Sequence, residues 1–273
     1  MGVIDNNTLV YIRFDGEPFV DSSFYERSLA VNYGNPSSVT TGVFDYAGYF
    51  TDDRLIVDEY VPEFNFRGGD WTIDFWCKKN SGGYCHPVTL RDSSNNGITI
   101  YDSDEWGCTI TGIITAEVIT YGINYSEFTH LALVRHSNEL QAYTNGERTF
   151  TKDIGSSVMS QLNSTARLTI GKGIYGNTDG IDAYFCEFRV SDVARWTENF
   201  TPPSRPYSPY RASGTLSDPS RVIIINESDW TLEASEEKSS GPYIIGTKDL
   251  DPKTIIAVKS DGEGLAYTGI IPE

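Results

Sequence analysis

The chain is expected to fold as an all-β sandwich followed by a smaller β unit. Three observations carry that expectation. Val, Ile, Thr, Tyr, Phe and Trp come in short runs, and Gly, Asn, Asp and Ser interrupt them every ~8–12 residues, the rhythm of sandwiches and barrels. Residues 128–136 are apolar on both faces, as a strand buried inside a sandwich should be. Asn145-Gly146 stands after the apolar run 140–144, and this dipeptide supplies the left-handed backbone of a two-residue hairpin loop. A length of 273 residues suffices for one large core or for two domains.

The elements follow in order. Residues 7–15 alternate apolar and polar side chains and read as a strand, with a loop over 16–23. Weak strands over 24–50 are broken by Gly34, Asn35, Pro36 and Gly42, and 44–50 and 54–57 read as strands. A turn-rich stretch, 60–70, leads into the core strand 71–77. Ile73, Phe75 and Cys77 share one face of that strand, and Asp74 and Trp76 share the other. Strands at 97–101 and 107–111 flank the polar loop 102–106. Strands 140–144, 167–171 and 183–190 complete the sandwich. Trp71, Phe75, Leu131, Leu133, Val134, Leu168, Ile170 and Phe188 are the expected core. Pro202, Pro203, Pro206 and Pro209 exclude a central strand or helix, so this segment is expected to strap the outside. The boundary is expected near residue 210, giving a sandwich over 1–210 and a small unit over 211–273. The small unit's strands are expected at 221–225, 242–246 and 254–258. So short a unit buries little surface, and its edge strands invite pairing with the sandwich or with another chain.

A net charge of −17 repels phosphate backbones, so nucleic-acid binding is excluded, and anionic membrane surfaces are disfavoured. No apolar run is long enough to cross a bilayer, so no membrane insertion is expected. Met1 to Thr8 lacks the basic and apolar regions of a secretory signal, so synthesis in a cytoplasm is expected. Free thiols are then the default for Cys77, Cys85, Cys108 and Cys186. Cys77 and Cys85 lie across a hairpin and can bridge if oxidised. There is no Cys-x-x-Cys, and His86, His130 and His136 show no ligand spacing, so zinc is not indicated.

Glycan hydrolysis on a β-sandwich needs two facing carboxylates. Glu227-Ser228-Asp229 begins such a pattern, but no glutamate follows at 231 or 232, and no catalytic residue is assigned. Glycan binding needs an exposed aromatic beside polar groups. Trp106 in its acidic loop, Tyr84 after Gly82-Gly83 and Tyr175 between Gly173 and Gly176 are the ligand-binding candidates, and each can equally serve as a lid on the core edge.

Four segments stand in a telling order: Trp71 to Trp76, His130 to Arg135, Leu140 to Gly146, and Glu187-Phe188-Arg189-Val190-Ser191-Asp192-Val193-Ala194-Arg195-Trp196 running on to Pro203. Over roughly residues 7–207 the chain resembles the concanavalin A-like, laminin-G-type jelly roll common in bacteriophage structural proteins. The resemblance implies a virion-associated structural protein of a tail fibre, baseplate or capsid, made in the host cytoplasm. Its partners would be other virion proteins, a host-surface glycan and further copies in a homo-oligomer. A carbohydrate-binding adhesin is the alternative, and a glycan hydrolase a weaker one. The resemblance also implies calcium at Asp15, Asp21 and Glu187. Cys186 stands where the family has an aspartate, so that ion would be held loosely. The competing reading makes Asp15 and Asp21 turn formers. Trp196 is expected to cap the core and Arg195 to pair with a carboxylate.

Overall fold

The structure, a computed structural model, describes residues 3–80, 83–103, 105–120, 126–175, 179–204, 206–216, 220–226, 232–238, 241–247, 253–259 and 264–270, with side chains described from Ile4 to Tyr207. It forms two compact units, Asn7–Pro206 and Met1–Asn6 with Tyr207–Glu273. The division differs from the expected 1–210 and 211–273 because β1 (Val3–Ile4) pairs in parallel with a strand starting at Ser208, which ties the first residues to the C-terminal unit.

In the larger unit the strands run β2 (Thr8–Ile12), β3 (Leu29–Tyr33), β4 (Ser37–Gly42), β5 (Asp45–Thr51), β6 (Arg54–Val57), β7 (Trp71–Lys79), β8 (Cys85–Arg91) and β9 (Gly97–Asp102). They continue as β10 (Trp106–Ile110), β11 (Ile114–Val118), β12 (Thr129–His136), β13 (Glu139–Thr144), β14 (Glu147–Asp153), β15 (Arg167–Ile170) and β16 (Asp182–Ser191). One sheet has the order β11, β10, β9, β8, β15, β6, β3. The other has the order β14, β13, β12, β7, β16, β5, β4, with β2 also on β16. Every pairing within them is antiparallel. This is the all-β sandwich the sequence predicts. The C-terminal unit adds β17 (Ser208–Leu216), β18 (Ser220–Asn226), β19 (Leu232–Lys238), β20 (Gly241–Thr247), β21 (Lys253–Lys259) and β22 (Gly264–Ile270). The order β1, β17, β20 forms one small sheet, and β19, β18, β21, β22 forms another.

β8 escapes the sequence reading because Pro87 argues against a central strand. A register shift between Cys85 and Val88 absorbs that proline within the ladder to β9. The Asn145-Gly146 signal is borne out. Both residues have positive φ, 50° and 80°, as the tight loop between β13 and β14 requires.

All eight expected core residues are buried. Seven lie between the sheets, with Phe75 stacked on Phe188 and tilted against Phe185. Val134 lies on the other side of its sheet, in a second cluster with Ala132 and Tyr143 under Ala194, Trp196 and Phe200. The segment 192–203 is thus a third layer over the outer face of the β7–β12–β16 region. It is fastened at Thr72, whose hydroxyl donates to the Val193 carbonyl and accepts from the Arg195 amide. At the far end the Phe200 amide donates to the Gly146 carbonyl. A Cβ at Gly146 would stand 1.8 Å from the Phe200 carbonyl oxygen, so the hairpin glycine also makes room for the strap.

Beneath the strap lies a fully buried ion pair. Asp74 and Arg189 are cross-strand neighbours on β7 and β16. Arg189 donates from Nε to Asp74 Oδ1 at 2.9 Å and from Nη2 to Oδ2 at 3.3 Å, and His130 Nε2 lies 3.4 Å from Oδ2. Burial alone would raise the Asp74 pKa, but Arg189 and His130 outweigh it and hold the carboxyl below its ordinary range. The Arg189 guanidinium sits 5.3 Å from the Trp196 ring centroid, and Trp196 stacks on Phe200 at 4.0 Å. Trp196 therefore caps this ion pair rather than the core between the sheets. Arg195 donates to the Ser191 and Thr8 hydroxyls.

Truncating Leu133 to Ala is expected to cost about 2–5 kcal/mol in urea unfolding, since it opens a cavity between the sheets. Asp74→Ala takes the carboxylate partner from a buried guanidinium in a dry layer, and a loss of about 3–5 kcal/mol is expected by the same measurement. The depressed Asp74 pKa makes the folded state bind this proton more weakly than the unfolded chain. Its stabilisation is therefore present above the unfolded carboxylate pKa of ~3.9 and is lost as pH falls below it toward the folded pKa. Acid titration of wild type against Asp74→Asn should show that part of the acid destabilisation missing from the variant.

Candidate functional site

On the outer face of the seven-stranded sheet, β8 and β9 build an aromatic platform. Ile98 and Ile100 point into the core, so alternation turns Thr99 and Tyr101 outward. The Tyr101 ring lies across Gly107, its cross-strand neighbour, where a Cβ would stand 2.2 Å from Tyr101 Cζ. Tyr84, 57% exposed, rests against this base. Its ring is tilted to Tyr101 at 6.1 Å between centroids and edge-on to His86 at 4.8 Å. The Tyr84 hydroxyl is 3.1 Å from His86 Nε2, and His86 Nδ1 is 3.7 Å from the Asp179 carboxylate. Burial lowers the His86 pKa and Arg91 adds to that, against the opposing pull of Asp179, so the ring is neutral at neutral pH. The loop bearing Tyr84 is held by Lys79, which pairs with buried Asp102 at 2.9 Å and donates to the Gly83 carbonyl.

The arrangement offers an exposed aromatic ring on a rigid base, with the solvent-facing carboxylate of Asp179 at its edge. Such a ring stacks against the C–H face of a sugar, and the carboxylate accepts from its hydroxyls. The sequence reading named Tyr84 but missed Tyr101, His86 and Asp179. The alternation 98–101 opposite Gly107 was the available signal for Tyr101. His86 stands two residues after Tyr84, whereas Asp179 reaches the platform only through chain folding.

The structure does not bring the other two aromatics to it. Trp106 is 2% exposed, pointing inward against Phe75 at 5.7 Å, so its ring is unavailable for stacking. It is the first residue of β10, not part of the loop, and it shares the inward face with Cys108 and Ile110. Tyr175 is half-buried, and its hydroxyl donates to the Thr165 carbonyl. That bond ties the stretch after β15 to the turn before it. The neighbouring Thr89 and Thr169 hydroxyls of β8 and β15 bond to each other at 2.7 Å.

The residues implied for calcium do not converge. Asp15 is exposed and pairs with Arg13 at 3.4 Å. Asp21 is buried, and its carboxylate accepts from the amides of Tyr11, Ser23 and Arg27 and from the Ser23 hydroxyl. That is the turn-forming role. Glu187 accepts from the Tyr11 hydroxyl at 2.7 Å, so Tyr11 links Asp21 to Glu187 through one amide and one phenol. Among the described residues no group of three or more His, Cys, Asp or Glu could hold a metal ion. Glu227 and Asp229 lie outside the described residues.

The four cysteines are free and buried. Burial pushes the Cys85 and Cys186 thiols up to about 12, and it raises those of Cys77 and Cys108 as well. They are accordingly inert packing groups. Alkylation in native buffer should label none of them, and alkylation in denaturant should label all four, as counted by intact mass.

Two face-to-face antiparallel sheets with an aromatic platform on one outer face define a lectin-type sandwich. Residues 58–199, just over half of the chain, match the Laminin_G_3 family of the concanavalin A-like lectin/glucanases superfamily, and the chain belongs to that family. Solved structures agree on the fold. The binding domain of botulinum neurotoxin serotype D is 12% identical, with a TM-score of 0.55 over 97% of this chain and 74% of that one. The botulinum neurotoxin DC binding domain in complex with SialylT is 13% identical, with a TM-score of 0.55 and the same coverage. Domain 4 of AbnA, a GH43 extracellular arabinanase from Geobacillus stearothermophilus, in complex with arabinotriose, is 14% identical, with a TM-score of 0.54 over 70% of this chain and 94% of that one. A search of curated protein sequences gives no match.

Proposed function

We propose that this chain is a non-catalytic carbohydrate-binding protein of a bacteriophage particle, with a host-surface glycan seated on Tyr84. The observation that carries the glycan reading is the exposed Tyr84 ring fixed on Tyr101 and His86 beside the Asp179 carboxylate. Two structures of the same fold, solved in complex with arabinotriose and with SialylT, support it. The particle context rests on the resemblance of the Glu187 to Pro203 segment to phage structural proteins. In this reading the C-terminal unit joins the sandwich to the particle. A free-standing adhesin uses the same platform and differs only in what the C-terminal unit contacts.

The platform presents a carboxylate and a neutral histidine, so it suits a neutral, hydroxyl-rich sugar better than an anionic one. A glycan array read with and without calcium tests binding and metal dependence together. Neutral glycans are expected to bind, and Tyr84→Ala is expected to weaken them roughly tenfold, the scale of one aromatic stacking contact. A variant that binds as wild type does would move the site elsewhere. Release of sugar from a polysaccharide would replace the binding reading with a hydrolytic one.

A further inference from the structure

The sandwich has two sides where its sheets end, and they are built differently. On one side β11 and β14 face each other. They are tied by the ion pair of Lys152 with Glu117 and by the Thr149 hydroxyl donating to the Ile119 carbonyl. Charged residues line this side, with Glu117 on β11 and Glu147, Arg148, Lys152 and Asp153 on β14. Charges of this kind keep an edge strand from pairing with other chains. On the opposite side the edge strands are β3 and β4, and residues 28–44 contain no charged residue at all.

The stretch leading into β3 is rich in exposed apolar groups. Among the described residues, five of the eight exposed large apolar side chains lie between positions 20 and 33: Val20, Phe24, Tyr25, Val31 and Tyr33. The segment before β3 is rigid, because the Asp21 carboxylate gathers three amides of its turn and the Arg27 guanidinium lies 4.5 Å from the Tyr25 ring centroid. Val31 is the telling residue. It stands in register with Leu55, whose side chain is in the core, so Val31 faces the core layer too. Yet it is 47% exposed. The core layer is left open along β3, and among the described residues no strand pairs with the outer edge of β3.

We propose that β3 is a self-association edge: two copies of this chain pair β3 against β3 in antiparallel, joining their seven-stranded sheets and covering Val31 and Tyr33. The unpaired amides and carbonyls of an edge call for a strand. Charge selects which strand. Copies carrying −17 each repel one another, and an approach along residues 28–44, which carry no charge and have the cations of Arg54 and Lys172 beside Tyr33, adds the least to that repulsion. A two-fold pairing satisfies both open edges in one contact and ends there, which is the closed, isologous solution. Val31 is the central residue of β3, so in this pairing it meets its own symmetry mate. The association is independent of the sugar platform, which lies on the outer face near the β8–β10 end of the sheet.

Analytical ultracentrifugation of the full chain over a dilution series, at low and high salt, tests this. Wild type is expected to dimerise, more tightly as salt screens the net charge. Amide exchange in residues 29–33 is expected to slow as concentration rises. Val31→Lys and Val31→Glu should each be monomeric, with melting curves like wild type because position 31 is half exposed. Mixed together they should dimerise again, since opposite charges then meet across the two-fold axis. Four outcomes overturn the proposal. Wild type stays monomeric at every concentration, or the single variants dimerise as wild type does. The mixture fails to re-form the dimer, or the β3 amides that point away from β6 are already protected in a dilute monomer, which would mean that the same chain covers the edge.

Discussion

The Asp74 carboxylate sits on the outer face of a sheet, in a place from which water is shut out. A charge there is tolerated only with a partner of good geometry. Arg189 supplies it through two parallel hydrogen bonds, and Trp196 lies over the guanidinium as Phe200 lies over Trp196. Much of the chain is arranged around this demand. The strap needs Thr72 at one end and the Gly146 carbonyl at the other, and the hairpin that presents Gly146 is steadied by Asn145 accepting from the His130 amide. Residues 74, 130, 146, 189, 196 and 200 are distant in sequence, so the pair ties three central strands and the strap together.

Carboxylates recur as organisers of loops. Asp21 gathers the turn before β3, Asp53 accepts from the Asn35 and Thr51 amides, and Asp92 accepts from Ser94, Asn96 and Asn163. Each is buried, and each spends its oxygens on amides that would otherwise lack partners. This explains part of the acidic composition in structural terms. The four donors around Asp21 order that loop as a turn.

The two sheets present their outer faces differently. The eight-stranded sheet is covered by the strap over its central strands. The seven-stranded sheet leaves the Tyr84 platform exposed. Recognition of a sugar needs a ring that does not move when solvent is replaced by ligand. Around Tyr84, the rings of Tyr101 and His86 and the Lys79 contact to Gly83 supply fixed surroundings.

Local pattern determined what depends on near neighbours. The alternation in 71–77 sorted Ile73, Phe75 and Cys77 from Asp74 and Trp76. Asn145-Gly146 announced its turn, and Pro202, Pro203 and Pro206 stand outside any strand, but Pro209 lies in β17, the middle strand of its small sheet, against the expectation. These are properties of backbone geometry over a few residues, so they are visible without the fold. Local pattern misled where a long-range contact overrode it. Pro87 hid β8, since only the ladder to β9 shows the bulge that admits it. Trp106 looked like a loop aromatic until pairing with Asp102 set its direction inward. Asp74 was correctly placed on the outer face, yet nothing near it in the chain showed that Trp196, more than a hundred residues later, would bury it. Asp21 and Glu187 were recognisable as a pair of interest, but Tyr11 between them decided their chemistry. Whether a side chain faces water is a property of what packs against it, and in a sandwich built from distant strands that is settled only when the sheets close.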